Sequence, residues 1–155
     1  MREATTPASL YASLVGGVLV VAGILGFFYS ASFGDPGEVD AVLGILDVNA
    51  WHNIVHILTG AVGVLAFMSG PHASRLYALI FGAVYIVVAI WGFIIGGGES
   101  ILGFIPVNDE DNVLHAILGV LGIGAGLASP EVESRRVQPE PGRPDPSGAG
   151  GEPPL

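Results

Sequence analysis

Three histidines and one carboxylate stand at helical spacing in two short stretches of the chain. In VNAWHNIVH (residues 48–56), His52 and His56 are four apart; in VNDEDNVLH (residues 107–115), Asp111 and His115 are four apart. Residues at this spacing share one face of an α-helix, so each stretch presents two ligand-type side chains to one side. Three imidazoles and a carboxylate suit zinc or another first-row metal. His56 and His115 alone would suit the two axial positions of a haem b.

The same residue types have other uses. Asn53, His56, Asn112 and His115 form a polar set of the kind that ties transmembrane helices together, at ~0.6 to 2 kcal/mol per hydrogen bond. An ionisable group inside a membrane also points to pH sensing or to proton or small-solute handling. The residue types leave these readings open, together with the identity of any cofactor and whether there is one.

The two stretches are copies. At an offset of 59, residues 42–66 match residues 101–125 without a gap, with nine of twenty-five positions identical, among them Asn49/Asn108, Asn53/Asn112, His56/His115, Gly60/Gly119 and Gly63/Gly122. At an offset of 66, LYASLVGGVLVVAGILGF (residues 10–27) likewise matches LYALIFGAVYIVVAIWGF (residues 76–93). Internal repetition of this kind marks a duplicated structural unit. A unit that crosses the membrane twice keeps its orientation, so the copies should be parallel and related by an axis along the membrane normal.

The elements that must position these groups follow from composition. Apolar residues make up 51% of the 155, and charged residues 12%, about half the share usual in soluble domains. Four apolar runs, at about 10–30, 50–69, 75–95 and 109–129, each approach the ~20 residues a helix needs to cross a bilayer. The first is too long for the ~7 to 15 apolar residues of a secretion signal, and it has an internal partner. Residues 1–9 read as a short tail. Residues 130–155, rich in proline, glycine and acid, read as a disordered tail.

All five basic residues (Arg2, Arg75, Arg135, Arg136, Arg143) fall in the tails or the connection between the second and third runs. The other two loops hold only acids: Asp35, Glu38, Asp40, Asp47, Glu99, Asp109, Glu110 and Asp111. The positive-inside rule then places both termini in the cytoplasm of a multi-pass cell-membrane protein. Tyr11 and Tyr77 would mark the inner interface, and Tyr29, Trp51 and Trp91 the outer one.

Asn49 and Asn108 precede the second and fourth runs as N-caps. Asp111 takes the partner position of a capping box, and Asp109 and Glu110 suit the first turn. With helix starts at 50 and 109, His56 and His115 lie about 9 to 10 Å below the outer end, and His52 lies near the interface. Asn53, His56, Gly60 and Gly63 line one face, and Asn112, His115, Gly119 and Gly122 line its counterpart; glycines there allow close helix packing. Tyr85 reads as packing, Thr59 as bonded to its own helix, and His72 as a turn residue. The apolar pieces VLGIL and ILGFI are expected to lie flat over the outer end of the bundle.

The sequence excludes several classes. It has no cysteine, hence neither disulfides nor thiolate metal sites. It has no phosphate loop, no nucleophile with a positioned base and no basic face for nucleic acid; an enzyme is the least expected class.

The segments HNIVHILTG, RLYALIFGAVY and IPVNDEDNVLHAILG resemble a family of small bacterial four-helix membrane proteins catalogued as domain of unknown function 4383. The resemblance spans roughly residues 10–129. It implies the four-helix membrane fold and brings no activity, cofactor or catalytic residue with it. The expectation is an all-α integral membrane four-helix bundle made of two parallel two-helix repeats. Its first reading is a structural or accessory module, surrounded by lipid and meeting a membrane-protein partner or a second copy of itself. Metal or haem binding is the alternative, and pH sensing or proton and small-solute handling a further one.

Overall fold

Helix α1 (Pro7–Gly26) opens with Thr6, whose side chain accepts from the Ser9 amide, and with Pro7 in the first turn. Helix α2 (Ala50–Met68) is capped by Asn49, whose Oδ1 accepts from the His52 amide at 2.9 Å. Helix α3 (Pro71–Ile95) follows Gly70, whose φ of 105° lies in the left-handed region, and begins on Pro71 with no side-chain cap. Helix α4 (Asp109–Ala128) starts in a reciprocal capping box between Asn108 and Asp111. These are the observed elements of a computed structural model that describes residues 5–33 and 40–130. The terminal tails, with Arg2, Arg135, Arg136 and Arg143, and the loop acids Asp35 and Glu38 lie outside the described residues.

α1 and α3 begin earlier than the apolar runs at 10 and 75 suggest, because Pro7 and Pro71 supply helix starts that hydropathy does not register. All four helices are long and apolar enough to cross a membrane. Their lengths of 19 to 25 residues correspond to about 28 to 38 Å, against a hydrocarbon core of about 30 Å.

The helices pack as two close pairs, α1 with α2 and α3 with α4. Smaller contacts of α1 with α3, α1 with α4 and α2 with α3 join the pairs. The reason is the glycines. A methyl group on Gly60 would stand 2.6 Å from the Gly16 carbonyl oxygen, and one on Gly119 would stand 2.9 Å from that of Gly82. Only bare backbone permits such contact, and in lipid close packing replaces the hydrophobic effect as the force between helices.

The bundle is accordingly small and polar inside, large and apolar outside. Ala8, Ala12, Ser74, Ala78, Asn53 and Asn112 are fully buried, whereas Leu14, Val18, Leu65, Ile80, Ile94 and Val120 are exposed along the helices.

Tyr11 and Tyr77 lie in the core rather than at an interface, with ring centroids 6.1 Å apart. Each ring fills the space left by a glycine, Gly122 beside Tyr11 and Gly63 beside Tyr77. Their hydroxyls donate to the Leu118 and Thr59 carbonyls at 3.0 and 3.3 Å. A tyrosine near a helix end has the sequence appearance of an interface anchor; the facing glycine draws it inward.

At the end away from the termini, both loops fold into antiparallel hairpins instead of lying flat. Strand β1 (Asp40–Val42) pairs with β2 (Leu46–Val48), and β3 (Ser100–Ile101) with β4 (Ile105–Pro106). Both turns carry a Leu-Gly pair at positive φ: 55° and 71° at Leu43 and Gly44, 55° and 79° at Leu102 and Gly103. Tight hairpins need two such residues, but leucine is not the residue that announces them.

Candidate metal centre

The hairpins fix the helix starts. Asn49, besides capping α2, donates from Nδ2 to the Phe104 carbonyl in the second hairpin turn at 2.7 Å. Asn108 donates likewise to the Ile45 carbonyl in the first at 2.6 Å. Each cap thus grips the other unit's turn, and the hairpin end becomes one locked layer.

His52 sits under this layer, in the first turn of α2, and is 2% exposed. Its burial departs from an interfacial placement, because the hairpins roof it. Its Nδ1 donates to the Asp47 carbonyl at 2.8 Å, and the Pro106 carbonyl also faces the ring. His56 follows one turn deeper, its ring centroid 4.4 Å from that of His52. His115 comes across from α4, with its ring 6.2 Å from His52 and stacked on Tyr85 of α3 at 5.4 Å.

One ligand nitrogen from each of His52, His56 and His115 falls within 4.8 Å of the others. Nitrogens sharing a tetrahedral ion with bonds of about 2.0 to 2.1 Å stand about 3.4 Å apart, so closing the three onto an ion takes shifts of about an ångström. His115 Nδ1 is buried with no hydrogen-bond partner, a costly state for an imidazole unless something binds there.

Asp111 does not join them. Its Oδ2 accepts from the Asn108 amide at 3.3 Å and from the Asp47 amide at 3.0 Å. The carboxylate is therefore spent on the capping box and on the first hairpin. A ligand and a cap look alike here in sequence, and the backbone donors within reach decide for the cap. Nor do α2 and α4 pack face to face: the centre is built between α2 and α3, with His115 reaching in from α4.

A cavity of about 90 Å³ adjoins the three rings. Ile101, Ile105 and Val107 of the second hairpin roof it, and Val55, Val84 and Val88 wall it. Its remaining polar groups are the hydroxyls of Tyr85 and Thr59. The Thr59 hydroxyl itself donates to the Val55 carbonyl at 2.7 Å. The cavity is a fraction of the about 300 to 1,000 Å³ that holds drug-sized ligands, so a haem macrocycle between His56 and His115 does not fit.

The asparagines lie against glycines of the paired helices and do not line the cavity. Asn53 donates from Nδ2 to the Ser30 carbonyl at 2.9 Å, and its Oδ1 lies against Gly26. Asn112 lies against Gly92 in the same way. A side chain on either glycine would collide with the amide oxygen, and the second α-hydrogen points at it instead, a weak C–H···O contact. His72 is exposed at the far end of the molecule.

Sequence reasoning passed over Tyr85 and Thr59 as parts of the centre. The available signal was the repeat: Leu19 and Leu118 occupy the matching positions, so hydroxyls appear in one copy only.

A family model described as Domain of unknown function (DUF4383) matches residues 9–128. No curated protein and no solved structure matches the chain.

Proposed function

Because the chain belongs to the family that this model describes, whose description names no activity, we propose a function from the geometry: a multi-pass membrane protein that holds a first-row divalent metal ion between His52, His56 and His115. The observation that carries it is the meeting of three imidazole nitrogens within 4.8 Å, in a set of side chains where His115 Nδ1 is buried without a partner. Three histidines with a position left open are a ligand set that zinc takes. Imidazole donors also suit copper, iron and nickel. The Asp47 carbonyl, accepting from His52 Nδ1, is the kind of outer support that orients a ligating histidine. With the arginines on the side of the termini, the centre faces away from the cytoplasm.

Protein purified in detergent and reconstituted with zinc should hold one equivalent by elemental analysis. His52→Ala, His56→Ala and His115→Ala should each lower affinity by about 100-fold or more, on the scale of ~1.4 kcal/mol per tenfold. Absence of stoichiometric metal from the reconstituted protein would refute this function.

A second reading, a structural or accessory module, draws on the hydrogen bonds by which Asn49 and Asn108 cross-link the two hairpins. On that reading, replacing both His56 and His115 by leucine leaves a folded protein that has lost no ligand. A clear drop in bound metal in that double variant would defeat it.

A further inference from the structure

Three neutral imidazoles leave the full double charge on a divalent ion, and the wall of the adjoining cavity carries no carboxylate. Asp111, the nearest acid in the sequence pattern, is held in its cap by the Asn108 and Asp47 amides. An uncompensated double charge in an apolar surround costs several kcal/mol or more. The protein therefore supplies three donors but not the balancing charge.

The space for that charge is present. A cavity of about 90 Å³ well exceeds the roughly 10 to 15 Å³ that one water needs, room enough for an ion and a ligand of two or three atoms. Its hydroxyls belong to Tyr85, whose ring stacks on His115, and to Thr59. The Thr59 proton is committed to the Val55 carbonyl, which leaves the Tyr85 hydroxyl as the donor able to turn toward a guest.

Resting on the metal reading above, we propose that the fourth position of the centre takes a small monovalent anion, such as a halide or hydroxide from solution, held in the apolar cavity and hydrogen-bonded by Tyr85. The small volume of the cavity favours such anions over bulky ones.

The test uses the full chain in detergent, loaded with cobalt(II), whose visible absorption reports its coordination sphere. Azide or cyanate should shift the cobalt bands in a saturable way, and benzoate should not. Tyr85→Phe should weaken azide binding roughly tenfold, as expected for one hydrogen bond to a charged group, with cobalt affinity retained. Cobalt bands that ignore azide and cyanate would overturn the anion proposal and leave the metal reading standing. A benzoate shift equal to that of azide would overturn it too, by placing the anion outside the cavity. A chain that gives no cobalt bands would remove the metal reading and this proposal together.

Discussion

In the first helix pair Gly16 meets Gly60, Gly26 meets Asn53, and the Gly63 gap takes Tyr77; in the second, Gly82 meets Gly119, Gly92 meets Asn112, and the Gly122 gap takes Tyr11. The contacts recur at positions related by the offsets of 66 and 59. The caps and one histidine, His56 or His115, recur as well, but the rest of the polar chemistry does not. His52 stands opposite Asp111 in the alignment, Thr59 opposite Leu118, Tyr85 opposite Leu19, and Asp47 opposite Pro106.

The last pair explains the first. Asp111 accepts from the amide of Asp47, whereas Pro106 has no amide to offer an acid at position 52. That place is faced by carbonyls, of Asp47 and Pro106, and an imidazole donor suits it. What the halves share is therefore the packing, the caps and one histidine each, His56 and His115; His52, Thr59 and Tyr85 have no counterpart of their kind.

The largest effects should come from the shared part. Gly60→Ala puts a methyl group against backbone, the Gly16 carbonyl and the Val20 amide at 2.6 and 2.7 Å; Gly119→Ala meets first the Ile86 side chain, which can rotate, and then the Gly82 carbonyl at 2.9 Å. Both should destabilise, Gly60→Ala toward the upper end and Gly119→Ala toward the lower end of the about 1 to 3 kcal/mol that overpacking costs. Denaturant unfolding followed by the fluorescence of Trp51 and Trp91 measures this. If one of them proves neutral, the mechanical equivalence of the two pairs is broken.

A smaller effect separates cap from ligand. Asp111→Ala removes the capping partner and should cost about 1 kcal/mol of stability, while zinc affinity stays within about threefold. His52→Ala, at the matching position, should do the reverse and abolish tight zinc binding. Equal losses of zinc in both variants would return Asp111 to the ligand set and erase the contrast.

How much of this was legible depends on which kind of signal each residue sends. The spans were plain from the apolar runs, and Asn49 and Asn108 before them mark the starts of α2 and α4, because a cap is a local matter. The hairpins were hidden, since Leu43 and Leu102 occupy positive φ with nothing in residue type to show it. Tyr11 and Tyr77 were misplaced because their burial depends on a glycine on a distant helix. His52, His56 and His115 were legible as candidates by spacing alone. That Asp111 stays apart was not, for the amide of Asp47 that holds it comes from the other unit, brought near only by the fold.

The smallest effect probes whether packing and chemistry are separable at all. Tyr11 and Tyr77 make matching bonds across the bundle, to the Leu118 carbonyl at 3.0 Å and to that of Thr59 at 3.3 Å. Phenylalanine at either position should cost about 0.6 kcal/mol, the average for such bonds between membrane helices, with the shorter bond of Tyr11 costing slightly more. The consequences for the cavity should differ. Thr59 lines it together with Tyr85, so freeing the Thr59 carbonyl in Tyr77→Phe should perturb the cobalt spectrum and its response to azide. Leu118 lies outside the cavity lining, so Tyr11→Phe should leave both unchanged. Matched stability losses with a spectral change in one variant only would place the two tyrosines in one mechanical role and two chemical settings. A spectral change of the same size in both would mean that the bundle transmits packing strain to the histidines from either side.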